Sequence, residues 1–235
     1  AENATTIATI FVNPRQFNEA ADYQRYPRNE ARDLAIVGEE GVDLVFMPPV
    51  DEIYPPGFGT WVDVDDAGAE GTARAGHFRG VATVCVKLFN SVRPANAYFG
   101  QKDAQQAVVI RRVVRDLNLS LQIRVVPTVR DPDGLALSSR NARLSREERL
   151  RALALPRALA EGAESHRSGG DAVADTRAAL NGLAPEYVEV LDLDRKASPF
   201  AAHHGRAEVL RQRRSVERGG HHQKLHARKQ PLDQR

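Results

Sequence analysis

Apolar positions along the N-terminal part of the chain fall into short continuous runs separated by helically spaced stripes, and their order predicts the architecture. Thr5 to Val12 (TTIATIFV) is β-branched and apolar and stops at Asn13-Pro14, which reads as a buried strand. Within Asn29 to Glu40 the apolar positions Ala31, Leu34, Ala35 and Val37 recur at helical spacing, and Gly41 ends the run. Val42 to Met47 (VDLVFM) follows as a second strand, closed by Pro48-Pro49. Strand, helix and strand joined by short connections predict a parallel α/β unit. The unit recurs, with a helix over Gly80 to Val92, a strand over Ala95 to Phe99, an amphipathic helix over Asp103 to Leu117 and a strand over Leu121 to Val126. Ser145 to Arg167 opens on Ser-Arg-Glu-Glu, a capping-box pattern, and reads as one long helix. A helix over Asp171 to Leu183 and a strand over Tyr187 to Leu191 complete the series, without internal repeats.

Composition narrows the class. The 235 residues are 42% hydrophobic and 27% charged, the profile of a globular protein long enough for one large domain or two modest ones. The longest apolar run, Val81 to Phe89, is broken by Lys87 and falls well short of the ~20 residues of a membrane span. With no charged-then-apolar leader visible, the expected location is cytoplasmic. The one cysteine, Cys85, lies in an apolar helical stretch and reads as packing, not as a nucleophile or ligand. Charge is unevenly distributed: residues 195–235 hold 11 Lys/Arg against 3 acids, leaving 22 basic and 28 acidic residues in 1–194. The pI of 8.8 therefore describes the tail, and nucleic acid is not an expected partner of the body. Poor in apolar residues and holding five of the seven histidines, that tail is expected to be disordered or poorly specified helix.

Three clusters fall at strand ends or in the loops that follow, where open α/β sheets bind ligands. The first, Phe11-Val12-Asn13-Pro14-Arg15-Gln16-Phe17, presents Asn13 and Gln16, amides that donate and accept at once. The second runs from Tyr98 to Gln106. There Gly100 permits close backbone approach, a helix start favours phosphate, and Lys102 adds a full charge. Asp103 is placed to cap that helix, and Gln106 projects from its first turn toward the same crevice. The third joins Pro127-Thr128-Val129-Arg130 to Gly134-Leu135-Ala136-Leu137-Ser138-Ser139-Arg140-Asn141, where two hydroxyls and a guanidinium make a compact anion clamp. Each cluster alone is compatible with an ordinary polar turn or helix cap.

Together with IFVNPRQF, RYPR, GVDLVFMP, DEIYPPGF, AGHFRGVATV, AYFGQKDAQQ, VIRRVVRDLNL and PTVRDPDGLALSSRN, in that order, the clusters resemble the pantothenate synthetase (pantoate–β-alanine ligase) family from Ala1 to about Asp194. The resemblance implies a Rossmann-like nucleotidyltransferase parallel sheet with a smaller α+β C-terminal domain, usually as a homodimer. The corresponding divisions here are 1–127 for the nucleotide- and pantoate-binding domain, 128–194 for a lid domain and 195–235 for the basic tail. It also implies condensation of pantoate with β-alanine through pantoyl adenylate, releasing pyrophosphate and then AMP, a step of pantothenate biosynthesis on the way to coenzyme A. ATP with Mg²⁺ is implied, and no residue here is assigned as a metal ligand. Carried over by position, Gln16 and Gln106 resemble the pantoate-holding amides. Gly100, Gln101, Lys102 and Asp103 resemble the nucleotide-binding segment, and Val129 a residue against the adenine. Leu137, Ser138, Ser139 and Arg140 resemble a mobile phosphate-binding loop, and Lys102 would stabilise charge on the phosphates. Asn13, Tyr26, Arg74 and His77 are further contributors, with His77 equally readable as a structural histidine.

One departure stands out. The family's first strand is followed by Met-Gly-x-Leu-His-x-Gly-His, whose histidines serve the ATP phosphates, and these 235 residues contain no such motif. The first strand is therefore expected to be missing, the chain to be a fragment of a longer product, and its own activity to be open. The strands that would flank the missing one are then expected ~10 Å apart instead of ~4.8 Å, with unpaired backbone. Two other readings remain: a related adenylate-forming nucleotidyltransferase acting on another acid, and an inactive remnant whose basic tail binds nucleic acid.

Overall fold

The computed structural model describes residues 3–65, 68–180 and 182–190. The expected tail, 195–235, and Leu191 of the last expected strand lie outside them. In chain order the elements are β1 (Ile7–Thr9), α1 (Ala20–Arg25), α2 (Glu30–Glu39), β2 (Leu44–Phe46), α3 (Val50–Ile53), α4 (Gly68–Ala73), α5 (His77–Val92), β3 (Asn96–Gly100), α6 (Ala104–Asp116), β4 (Gln122–Val126), α7 (Arg146–Ala152), α8 (Ala154–Arg167) and α9 (Ala172–Ala179), with 3₁₀ turns at Pro14–Gln16, Gln101–Asp103 and Ser139–Arg143. The class is α/β with parallel pairing, as the pattern of runs and stripes predicts.

The sheet is in two halves. β1 pairs parallel with β2, Ala8 opposite Val45, and β3 pairs parallel with β4, Tyr98 opposite Arg124. No ladder joins the halves among the described residues. Asn3 reaches across instead, donating to the Tyr98 hydroxyl at 2.8 Å and accepting from Asn96 Nδ2 at 3.0 Å. β1 is shorter than its apolar run because β2 stops at Phe46, ahead of Pro48-Pro49. Beyond Ile10, whose N–H still reaches Phe46 O, there is no ladder to extend.

The core lies where α5 and α6 pack together and against β3 and β4. Phe78, Val81, Cys85 and Phe89 recur along one face of α5 and meet Val108, Val109 and Ile110 of α6. Cys85 is buried and its thiol is pushed up to about 12 by desolvation, so it is inert packing. Helix α5 begins three residues earlier than its sequence suggests. Gly76, in the left-handed region at φ 79°, starts it, and Gly80 belongs inside the first turns. There the helix lies directly on the Pro14–Gln16 turn: a Cβ at Gly80 would sit 2.6 Å from the Arg15 carbonyl carbon and closer still to its oxygen.

The single long helix expected over 145–167 is two. Ser145 and Glu148 form the capping box of α7, but the helix breaks after Ala152. Pro156 is the reason, since it has no N–H for the Ala152 carbonyl and its ring crowds that oxygen, while the first turn of α8 tolerates it. Helices α8 and α9 then pack tightly where Gly162 faces Thr176 and the Ala172 carbonyl. Tyr187 to Val190 is not a strand. It lies against α4 and α6 through side chains, with no partner strand among the described residues.

Two alanine substitutions are expected to separate with opposite signs in urea unfolding. Gly80→Ala collides with backbone that cannot swing aside and should cost about 3 kcal/mol or more. Gly38→Ala, in α2 with nothing within 4 Å of the new Cβ, should add about 0.5–1 kcal/mol.

Candidate active site

The carboxyl ends of all four strands open on one cleft of about 900 Å³. Its wall is built from Thr9 to Asn13 after β1, Met47 to Val50 after β2, the β3–α6 junction and the segment after β4. The Leu137–Arg140 stretch and the Tyr23–Asn29 segment close the rim.

Asn13 anchors the first wall. Its side chain is 3% exposed, and both its donors and its acceptors are engaged. Oδ1 accepts from the Arg15 N–H at 3.1 Å and the Tyr54 hydroxyl at 2.9 Å. Nδ2 donates to Gly80 O and to Gln16 Oε1, both at 3.1 Å. Burial pushes the Tyr54 hydroxyl up to about 12, so it stays a donor at neutral pH. Gln16 is thereby held by its amide oxygen, and its backbone is held from the other side. His77 Nδ1 lies 2.8 Å from Gln16 O, which fixes the proton on Nδ1, and Nε2 faces Arg74 Nη1 at 3.3 Å. Arg74 in turn pairs with Glu70 at 3.0 Å. His77 is thus a buried positioning group on the cleft wall. Desolvation, then the Arg74 guanidinium, holds it below the ordinary value of 6.5 against the opposing pull of the Gln16 carbonyl, Glu70 and Asp103.

The second wall differs from expectation in one respect. Asp103 does not cap α6 with its side chain; its carboxylate accepts from Lys102 Nζ at 3.0 Å. The 3₁₀ turn Gln101–Asp103 runs straight into α6, and a charge-assisted bond to the adjacent ammonium wins over a cap. Gly100, Lys102, Asp103 and Gln106 all line the cleft, while Gln101 does not.

The third wall brings Val129, Leu137, Ser138, Ser139 and Arg140 to the same cleft. Val129 and Leu137 expose apolar surface there, 65% and 49%. Of the Ser–Ser–Arg group, the Arg140 guanidinium is already engaged by protein. Ser138 Oγ accepts from the Arg140 N–H at 3.3 Å, and the Arg140 guanidinium bonds Asp22 Oδ2 at 2.9 Å. Arg143 adds a bond to the same carboxylate at 3.2 Å, and the two arginines, Arg140 first, hold Asp22 below the usual carboxylate range. Sequence reasoning missed Asp22, Glu70 and Tyr54. The signal available for Asp22 was an acid one helical turn before the aromatic-and-basic RYPR run.

With these walls in place the comparisons are specific. A family model described as pantoate-beta-alanine ligase matches residues 1–214. The pantothenate synthetase of Chloroflexus aurantiacus is 55% identical over 191 residues, 77% of this chain and 68% of that protein. That of Roseiflexus castenholzii is 56% identical over 203 residues, 83% and 73% of the two chains. The chain belongs to the pantoate–β-alanine ligase family, whose members are C–N bond-forming ligases. Among solved structures, pantothenate synthetase from Thermus thermophilus superposes with a TM-score of 0.77 at 47% identity, over 82% of this chain and 73% of that one. A Francisella tularensis pantoate-β-alanine ligase, complexed with βγ-ATP and β-alanine, superposes at 0.63 with 40% identity, over 66% and 61%. No group of three or more His, Cys, Asp or Glu able to hold a metal occurs among the described residues, and no helix there is long and apolar enough to cross a membrane.

The lowered His77 value has a pH consequence. Between the native value and 6.5 the unfolded chain binds a proton that the folded chain does not, so stability falls as pH drops through that window and is undiminished above it. Urea unfolding of wild type and His77→Gln across pH 5–8 should show the wild type losing ground to the variant on the acid side; parallel curves would remove His77 as the cause.

Proposed function

We propose that the chain joins pantoate to β-alanine at the expense of ATP in this cleft. The pantoate carboxylate attacks the α-phosphorus of ATP, and the bond to the departing pyrophosphate breaks. The β-alanine amine then attacks the acyl carbonyl of pantoyl adenylate, AMP leaves and the new amide nitrogen gives up a proton. Neither step needs a covalent bond to protein, so the residues act by positioning and by electrostatics. Gln16 and Gln106, from opposite walls, take the hydroxyl and carboxylate groups of pantoate, with Gln16 also near β-alanine. Gly100 to Asp103 take the nucleotide and Val129 packs on the adenine. Lys102 transfers its ammonium from Asp103 to the phosphates, and Leu137 to Arg140 close over them when Arg140 exchanges Asp22 for phosphate.

Mg²⁺ fits the donor set modestly, because the ion takes few carboxylates alongside phosphate oxygens and water. Asp103 is the hard oxygen donor in the cleft beside Lys102 and would share in holding it. When bound, the ion neutralises phosphate charge. A division at 127/128 and assembly as a homodimer belong to the same reading.

The observation that carries the proposal is that nine residues assigned by resemblance to two glutamines, a nucleotide segment and a phosphate loop line one cleft. Pantoate-dependent exchange of labelled pyrophosphate into ATP tests it, with amino acids and other hydroxy acids as competitors. Exchange with pantoate alone is expected, and equal exchange with an amino acid would assign the cleft to another acid. Lys102→Ala should lower turnover by ~10²–10³ with little change in the melting temperature, the scale for loss of one preorganised charge. Near-normal turnover would remove Lys102 from its role.

A further inference from the structure

Gln105 and Gln106 are neighbours on α6 with different fates. Gln106 lines the cleft, whereas Gln105 is 5% exposed and both ends of its amide bond to protein. Its Oε1 accepts from the Glu70 N–H at 2.9 Å, and its Nε2 donates to the Glu189 carboxylate. The same carboxylate oxygen accepts from the Ala69 N–H at 3.3 Å. Ala69 and Glu70 are in the first turn of α4, a six-residue helix whose leading N–H groups have no partners within the helix. A helix that short does not hold itself, so its position depends on what grips its ends.

What α4 carries leads to the cleft. Glu70 holds Arg74 at 3.0 Å, Arg74 meets His77 at 3.3 Å, and His77 holds the backbone carbonyl of Gln16 at 2.8 Å. All four residues line the cleft. We infer that Gln105 and Glu189 are positioning residues: their amide–carboxylate clamp fixes the start of α4 and, through Glu70, Arg74 and His77, sets the place of Gln16. Helix α6 then governs both glutamines, presenting Gln106 directly and locating Gln16 through the neighbouring residue. The spacing between the two amides is fixed by one rigid element.

The effect on substrate rests on the function proposed above; the effect on the backbone does not, and the test reads both. Gln105→Glu sets two carboxylates against each other and removes the donor. Glu189→Gln keeps an acceptor for Ala69 and for Gln105 Nε2. The double variant Q105E/E189Q restores every bond with the roles exchanged: the new carboxylate accepts from Glu70 N–H and from the amide at 189, whose oxygen accepts from Ala69. In the full chain, Gln105→Glu should speed amide exchange by ~10-fold or more at residues 69–77 and also at 13–17, because the loss propagates along the bonded path. It should raise the KM for pantoate by ~10-fold, one lost charge-assisted bond's worth, with kcat at saturation and the KM for ATP little changed. The double variant should bring both readouts back to within ~2-fold of wild type, and Glu189→Gln alone should stay near it. Exchange confined to 69–70, or a pantoate KM that does not follow exchange through loss and rescue, would overturn the coupling. If Gln105→Glu does not fold, Glu189→Ala against Glu189→Gln gives the same contrast. If the wild type neither binds nor turns over pantoate, the proposed function fails, and exchange at 13–17 still decides the clamp.

Discussion

One buried amide sets the geometry of the cleft. Asn13 has two donors and two acceptors, and its four bonds reach three parts of the chain: Arg15 N–H and the Gln16 side chain in the next turn, Tyr54 at the end of α3, and Gly80 O in the first turns of α5. In a low-dielectric setting such a group is costly unless every position is filled, and the observed arrangement of its neighbours fills them all. The close approach that brings Gly80 O within reach is in turn possible only because Gly80 has no side chain. Strand end, turn and helix are locked into a single register, and the neutral amide that faces the cleft is locked with them.

Charge is used differently at the rim. Asp22 receives both Arg140 and Arg143, and Arg149 bridges Asp131 at 2.6 Å and Asp133 at 2.8 Å on the neighbouring segment. These pairs are exposed or partly so, where each is worth little and is readily exchanged. The inner wall is therefore held by buried hydrogen bonds, and the outer one by exposed ion pairs.

Much of this was legible in the order of residues. The strand–helix alternation, the α7 capping box, and the convergence of Gln16, Lys102, Gln106, Val129 and Ser138 to Arg140 on one cleft follow from local pattern plus the rule that parallel sheets bind ligands at their carboxyl ends. What was not legible depended on partners distant in sequence. Gly80 reads as a helix start, because nothing nearby discloses that Arg15 will lie against it. Asp103 reads as a cap until the turn geometry delivers its carboxylate to Lys102. Tyr187 to Val190 has strand residues but lacks a strand beside it, and Glu189 meets α6 and α4 instead. Pro156 is the exception, a local signal that forbids one continuous helix and is visible in the sequence itself.

Cys85 has a practical consequence. It is the chain's sole sulfhydryl, sealed between α5 and its neighbours and hard to ionise, so thiol reagents should pass it by while the fold is intact. A cysteine introduced at the rim, one on each side, would be the only reactive position on its face. Spin or fluorescent labels could then report the opening of the cleft in solution without first stripping the native thiol from the core.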